Sequence, residues 1–270
     1  MIRVSIDEVP PHQSTKLFLY GNITYSTGVN VEIIQLIGVP NEELNNIETT
    51  IKWAMKELEI PDTNVLIYIT DDHNKVRELV GMDKVSHEEW PVKYMRIDDV
   101  NAISIIPDKL LKLGGDEAAI MILREVALMR IMDDPALISM WSPPPDISDP
   151  LVHRVSLALL RRTVDLVIAQ SQSLIQYLIN AFNRDEMRNL LITCEPTVDC
   201  AIAALALDVP LSIEMSGNVG LGRSLWHDAS KNVDNGFFRK YDDFRDFVRN
   251  NFNVENTYNY LLMLFRGNLG

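Results

Sequence analysis

The residues best suited to chemistry are charged side chains inside apolar helical segments. Residues 116–132, DEAAIMILREVALMRIM, are apolar on nearly every face, and Arg124 and Glu125 interrupt them near the centre. A helix of this kind is buried, and a buried charge without a partner is costly. Because adjacent helical residues point about 100° apart, Arg124 and Glu125 do not face each other, and each needs a partner from another element.

A second apolar segment, LALLRRTVDLVIA, supplies those partners through Arg161, Arg162 and Asp165. Arg162 and Asp165 are three residues apart and share a helix face. We expect Arg124 to pair with Asp165, and Glu125 with Arg161 or Arg162, across a helix–helix interface. Two interpretations remain open. In the first, these five candidate binding residues form an ion-pair network that fixes helix register. In the second, they form a functional site or the relic of one.

The segment from residue 101 to 131, NAISIIPDKLLKLGGDEAAIMILREVALMRI, resembles the edge strand and active-site helix of zincin metallopeptidases. Zincins carry His-Glu-x-x-His on this helix, with two zinc-binding histidines and a general-base Glu. In the glutamate-type branch, a carboxylate from a later helix is the third ligand. The resemblance places Glu125 at the general-base position, Arg124 and Leu128 at the histidine positions, and Asp165 roughly where the third ligand belongs.

The residues at the two histidine positions of the motif cannot bind zinc. Arginine cannot lose its proton to bind zinc, and leucine has no donor atom. The resemblance therefore implies a zincin-like scaffold without metal or cofactor, in which an Arg124–Asp165 ion pair fills the place of the ion. Such a protein would bind a peptide or protein partner, held against strand 101–106 by edge pairing. The alternative is a hydrolase that uses Glu125 with a metal or other groups that local sequence does not reveal.

Histidine and cysteine spacing gives no sign of a metal site. The five histidines are scattered, and neither H-x-x-x-H, H-E-x-x-H nor C-x-x-C occurs. Cys194 and Cys200 have five residues between them, which suits no common zinc site. We expect these two cysteines to be core thiols near the start of a helix.

A third hypothesis, a nucleotide or phosphate binder, comes from residues 217–224, GNVGLGRS. This segment fits the phosphate-loop pattern G-x-x-x-x-G-K-[ST], except that arginine replaces lysine, and it follows a possible strand at 210–215. Since arginine is bulkier and planar, the replacement is not conservative, and we expect a loop with at most a weak anion site. The candidate anion-binding residues are Gly217, Gly220, Gly222, Arg223 and Ser224.

The elements that position these residues change in type along the chain. Over residues 1–113, apolar alternation predicts a hairpin of strands 17–25 and 29–37 around Ser26–Gly28, a helix at 41–59, strands at 65–70 and 101–106, and a short helix at 74–80. Residues 114–270 are mainly helical, with helices at 116–132, 184–192 and 197–207, and packing helices in the last 35 residues. A longer helix, with Asp149 as N-cap and Pro150 in its first turn, is expected to reach about residue 182.

This order predicts an α+β protein: a small mixed β-sheet with one long helix, followed by a mainly helical part, in a single compact domain of residues 1–270. The net charge is −13, with 38 acidic and 25 basic residues. Such a surface repels nucleic acids and anionic membranes, so neither is an expected partner. Without an apolar run of membrane-spanning length or a signal-peptide core, we expect a cytoplasmic protein. The sequence does not indicate the oligomeric state.

Overall fold

The computed structural model describes residues 23–24, 30–60, 63–85 and 90–266. The chain divides into two compact units, one ending at Met129 and the other beginning at Arg130. This division lies later than residues 113–114, where the predicted α/β part gives way to the mainly helical part. The difference arises because residues after 113 form a helix that reaches back to the sheet, where the Glu125 carboxylate binds a strand.

The first unit contains a mixed sheet, as predicted. Its strands are β1 Ile23–Thr24, β2 Asn30–Gln35, β3 Asn64–Ile69, β4 Val92–Ile97 and β5 Val100–Ile105. They lie in the order β1-β2-β3-β5-β4. Strands β2, β3 and β5 run parallel, whereas β1 and β4 run antiparallel to their neighbours. The turn predicted at Ser26–Gly28, and most of the strand predicted at 17–25, lie outside the described residues.

Four helices accompany the sheet: α1 Asn41–Glu57, α2 His73–Leu79, α3 Pro107–Leu110 and α4 Gly115–Asp133. Helix α1 confirms the prediction for 41–59, and its buried face repeats every three or four residues at Leu44, Ile47, Ile51 and Met55. Helix α4 confirms the prediction for 116–132. Its last residues, from Arg130, belong to the second unit.

The second unit is entirely helical in its described residues. Its helices are α5 Pro135–Trp141, α6 Pro150–Ala169, α7 Ile175–Ala181, α8 Arg184–Thr193, α9 Val198–Leu207, α10 Val209–Met215, α11 Val219–Ser230, α12 Gly236–Asn250 and α13 Val254–Phe265. The chain is therefore α+β, with a small mixed sheet in its N-terminal part and a mainly helical C-terminal part.

The helix expected from residue 150 to 182 is two helices. Asp149 caps α6 as predicted, because its carboxylate accepts the Leu151 N–H at 2.9 Å. The helix ends at Ala169, however, and α7 begins only at Ile175. The polar sequence Gln-Ser-Gln-Ser lies between them, and serine side chains compete with helical backbone hydrogen bonds.

The strand predicted at 210–215 is wrong, since this segment is helix α10. Asp208 caps the helix by accepting the Leu211 N–H, and Pro210 lies in the first turn, where its missing N–H is tolerated. Leu211, Ile213 and Met215 alternate with Ser212 and Glu214, which is the period of a strand, and a run of six residues is too short for periodicity alone to exclude a helix.

Aromatic side chains fill much of the helical core. Helix α12 buries Phe237, Tyr241 and Phe244 at spacings of three and four, and Phe265 of α13 packs on Phe237 and Phe244 with ring centroids 6.1 Å apart. This confirms the packing helices expected in the last 35 residues. In the described part of the chain, no helix has both the length and the apolar character required to cross a membrane.

Candidate functional site

The charged pair of helix α4 meets the sheet at strand β4. Arg124 and Glu125 are half-buried and lie between the fully buried Leu123 and Val126. The Glu125 Oε2 atom accepts the backbone N–H of Tyr94 at 2.6 Å. The carboxylate at the proposed general-base position is therefore hydrogen-bonded to the backbone of strand β4 in the same chain.

The Tyr94 N–H points away from strand β5. The Ile106 N–H donates to the Pro91 carbonyl at 2.8 Å, so these two residues form a hydrogen-bonded pair of the β4–β5 ladder. Hydrogen-bonded and non-hydrogen-bonded pairs alternate along an antiparallel ladder, and Tyr94 pairs with Ile103 three positions further along. At that offset the antiparallel pair is of the non-hydrogen-bonded type, so its backbone groups face outward. Glu125 thus binds the outer edge of β4, the last strand at this end of the described sheet.

This geometry corrects the expected edge strand. The segment predicted to bind a peptide at an edge, 101–106, corresponds to β5, which pairs with β3 on one side and with β4 on the other. No edge is open to a peptide there within the described sheet. The edge strand beside helix α4 is β4, which sequence spacing could not reveal because β4 precedes β5 and folds back onto it as a hairpin.

The arginines of helix α6 have different surroundings. Arg161 is exposed, contrary to the buried partner that the sequence analysis expects. Arg162 and Asp165 are 2% and 1% exposed, and the Arg162 Nη2 donates to Asp165 Oδ2 at 2.7 Å. Their shared face is confirmed. Pairing of Arg124 with Asp165, or of Glu125 with an α6 arginine, stays a prediction.

Arg162 also donates a hydrogen bond to a backbone carbonyl at the break between helices α9 and α10. Its Nη2 donates to the carbonyl of Ala206 at 3.0 Å, in the last turn of α9. In a continuous helix this carbonyl would accept the N–H of residue 210, but residue 210 is proline and has none. The break is buried, so the carbonyl needs another donor. The guanidinium of Arg162 is that donor, and Asp165 balances its charge.

A second set of buried charges surrounds the same break. Asp208, which is fully buried, caps α10 and also accepts the Arg245 Nε at 2.8 Å and the Tyr241 hydroxyl at 3.1 Å. Glu214, on α10, accepts Arg245 Nη2 at 2.6 Å and Arg249 Nη1 at 2.9 Å. Helices α9, α10 and α12 are therefore joined by charge-assisted hydrogen bonds.

Burial and neighbouring charges shift the pKa values of two members of this network, Tyr241 and Arg245. Burial, and then the Asp208 carboxylate, raise the pKa of Tyr241 well above its ordinary value, so its hydroxyl remains a donor. Burial alone would lower the pKa of Arg245, but Asp208 and Glu214 outweigh it and the pKa is raised. The Arg245 guanidinium also lies 4.5 Å from the centroid of the Trp226 ring.

Sequence reasoning missed the residues of this second set: Asp208, Glu214, Tyr241, Arg245 and Arg249. One signal was present for Arg245, which lies four residues after Tyr241 and one after Phe244, on the apolar face of α12. An arginine at such a position is buried with its neighbours and needs a carboxylate. Asp208 could have been found from the Asp-x-Pro pattern of a helix start.

The glycine-rich segment 217–224 is not a phosphate loop. Its first residue, Gly217, ends helix α10 with φ +99°, and its N–H donates to the Glu214 carbonyl while that of Asn218 donates to Ile213. These two bonds form a Schellman motif, in which glycine provides the left-handed conformation. The remaining residues, expected as a loop, belong almost entirely to helix α11.

Gly222 serves the packing of α11 against α10. A Cβ atom at this position would lie 2.5 Å from the Glu214 Cγ and 2.6 Å from the Pro210 carbonyl oxygen. Only glycine allows this approach. In contrast, Gly220, Arg223 and Ser224 are exposed along α11. Anion binding by these residues stays a prediction without the loop geometry that motivated it.

Cys194 and Cys200 are not core thiols but form a disulfide, with Cα atoms 6.0 Å apart. Both residues are half-buried. Within the described ranges, no group of three or more His, Cys, Asp or Glu side chains is arranged to hold a metal ion.

Comparison with known proteins adds no relative. No protein-family model, no curated protein and no solved structure matches this chain.

Proposed function

We propose that the chain is a non-catalytic protein on a zincin-like scaffold that binds an extended peptide or a segment of a protein partner. The hydrogen bond from Tyr94 N–H to Glu125 Oε2, at 2.6 Å, carries this proposal. A general base must present its carboxylate to the proton of a substrate or water. In this fold one oxygen of that carboxylate is already bound to the backbone of strand β4.

The residues at the zinc-ligand positions support the same function. Arg124 and Leu128 are both half-buried on helix α4, and neither side chain can donate an electron pair to a metal. Asp165, proposed at the third-ligand position, binds the guanidinium of Arg162 at 2.7 Å. The two carboxylates of the resemblance, Glu125 and Asp165, thus each bind a group within their own unit.

Strand β4 is the proposed recognition element, in place of β5. An extended segment could add to the sheet only at an outer edge, by pairing with outward N–H and C=O groups. Because Glu125 already binds the Tyr94 N–H, an incoming strand has to displace this carboxylate. Glu125 then acts as a built-in competitor that protects the edge from indiscriminate pairing, as charged residues do at other sheet edges.

The proposal also includes a cytoplasmic location and a partner that is neither a nucleic acid nor a membrane. The net charge of −13 and the pI near 4.8 support the exclusion of these two partners, because both of those surfaces are anionic. The acidic surface favours a partner segment of neutral or basic composition.

A library of short random peptides, fluorescently labelled, tests the proposal with Glu125→Ala and Glu125→Gln as a matched pair. Alanine removes the carboxylate that accepts the Tyr94 N–H, so we expect peptides to bind the Glu125→Ala variant severalfold more tightly than they bind the wild type. Glutamine keeps an amide oxygen that can accept this N–H, so its affinity should stay near that of the wild type. Hydrogen exchange should show protection of residues 92–97 on peptide binding, and none of residues 30–35.

Two results would overturn the proposal. Absence of peptide binding by the wild type and by both variants rejects the binding function. Cleavage of the peptides when Zn²⁺ is added, together with stoichiometric zinc in elemental analysis and loss of cleavage in Glu125→Gln, establishes the alternative hydrolase.

A further inference from the structure

The disulfide lies at the corner between helices α8 and α9, in a segment that the proposed function does not use. Cys194 is the C-cap of α8, and Cys200 is in the first turn of α9. The residues Glu195, Pro196 and Thr197 that follow Cys194 are exposed, so solvent reaches the corner.

The corner holds its shape through bonds that do not involve sulfur. The Cys194 N–H donates to the Leu190 carbonyl at 3.0 Å, and the Thr197 hydroxyl caps α9 by accepting the Cys200 N–H at 3.3 Å. The end of α8 is also fixed to the start of α12, because Asn235 Nδ2 donates to the Leu191 carbonyl at 2.8 Å. None of these bonds uses a sulfur atom, so opening the disulfide does not itself break them.

The two sulfur atoms differ in their electrostatic surroundings. Cys200 lies at the N-terminus of a ten-residue helix, where backbone N–H groups and the helix dipole stabilise a thiolate. Its neighbour Asp199 would oppose this effect, but the Arg154 guanidinium binds the Asp199 carboxylate at 2.5 Å. Cys194 lies at a helix C-terminus beside Glu195, where negative charge is disfavoured. Cys200 is therefore the better leaving group.

We propose that Cys194 and Cys200 form a reversible dithiol/disulfide site that a dithiol reductant opens by attack on Cys194. The incoming thiolate forms a bond to Cys194 Sγ, the bond between the two cysteine sulfurs breaks, and Cys200 leaves as a thiolate, which then takes a proton. The second thiol of the reductant, as its thiolate, attacks the sulfur of the reductant in the mixed disulfide and releases Cys194. The reductant ends as a disulfide and the protein as two thiols.

Single-cysteine variants test the asymmetry. At neutral pH, iodoacetamide should alkylate Cys200 in the Cys194→Ser variant about tenfold faster than Cys194 in the Cys200→Ser variant. Adding Arg154→Gln to the Cys194→Ser variant should slow alkylation of Cys200, because the charge of Asp199 is then uncompensated. Equal rates for the two cysteines would overturn the proposed direction of attack.

Native reduction of the unaltered protein tests reversibility and does not depend on how the variants fold. Dithiothreitol should release two titratable thiols without denaturant, with an unchanged helical circular dichroism spectrum, and removal of the reductant in air should restore the disulfide. The proposal is rejected if the bond resists reduction until the protein unfolds, or if the reduced protein does not regain the disulfide in air.

Discussion

The two units of this chain satisfy their buried polar groups in different ways. Among the described residues of the sheet unit, the buried polar side chains are mostly hydroxyl, amide and imidazole groups: His73 bonds to the Ser104 hydroxyl and to the Trp90 carbonyl, and Tyr94 bonds to Asn101. The helical unit buries ionised groups instead. Its buried charged side chains are Arg162, Asp165, Asp208, Glu214 and Arg245.

The difference follows from where each unit places the ends of its backbone hydrogen-bond ladders. Strands β2, β3 and β5 satisfy one another's backbone groups, so the middle of the sheet needs no charged side chain to complete them. In the helical unit, the junction of α9 and α10 at Asp208 is fully buried. Helix ends leave unpaired backbone groups, and here charged side chains complete them.

Arg245→Met is the most severe test of the claim that the helical unit depends on its buried charges. Removing this guanidinium leaves the buried carboxylates of Asp208 and Glu214 without their shared partner, and we expect the free energy of unfolding to fall by about 3–5 kcal/mol. Arg249→Met is the matched control, since it also removes a bond to Glu214 but its side chain is 24% exposed. Its cost should be about 1 kcal/mol or less. Urea unfolding measures both, and equal costs would show that burial of the charge is not what matters.

A pair of glycine substitutions on helix α11 tests whether close helix packing holds Glu214 in this network. Gly222→Ala forces the new Cβ against Glu214 and the Pro210 carbonyl, so we expect a loss of about 1–3 kcal/mol. Gly220→Ala meets no atom within 4 Å and should gain up to about 1 kcal/mol from helix propensity. Opposite signs in thermal unfolding are the expected result. The same sign for both would remove the packing role of Gly222.

The smallest effect concerns Asp242, at the margin of the network. Its carboxylate accepts the Trp226 Nε1–H at 3.0 Å, and burial is the main cause that raises its pKa. The folded state therefore favours the protonated form. Its stabilising contribution is present below the unfolded pKa of about 4 and is lost as pH rises through the folded pKa.

Asp242→Asn keeps an oxygen that can accept the Trp226 N–H and removes the ionisation that destabilises the folded state as pH rises. The variant should be more stable than the wild type at pH 7, by less than about 1 kcal/mol because the group is only half-buried, and equal to it at pH 3. Unfolding curves at the two pH values measure the difference. A variant less stable at pH 7 would mean that the charge of Asp242 contributes to the network rather than opposing it.

Much of the fold could be predicted from the sequence where a pattern has one physical meaning. The spacing of apolar residues in α1 and α4 predicts their helices, and the Asp149-Pro150 pair marks the start of α6. The pattern fails where one run has two meanings. The short run of residues 210–215 fits either a strand or a buried helix, and only the packed structure decides between them.

The candidate site could be predicted only in part, for a related reason. Charges inside apolar runs, such as Glu125 and Asp165, stand out in the sequence. Arg245 carries a weaker signal, its place on the apolar face of α12, because that helix is rich in charged residues and burial depends on which turn meets Asp208. The partner of Glu125 was also invisible, since a backbone N–H carries no sequence signal.

The helix break at Pro210 links two residues that are far apart in the chain. Arg162 is needed at the Ala206 carbonyl because proline at 210 cannot reach it with an N–H. Each residue alone is destabilising: proline leaves the half-buried Ala206 carbonyl without its helical donor, and without that carbonyl the buried arginine has one hydrogen bond fewer. In evolutionary terms the two positions should change together, so that chains descended from the same ancestor keep both Pro210 and Arg162 or lose both.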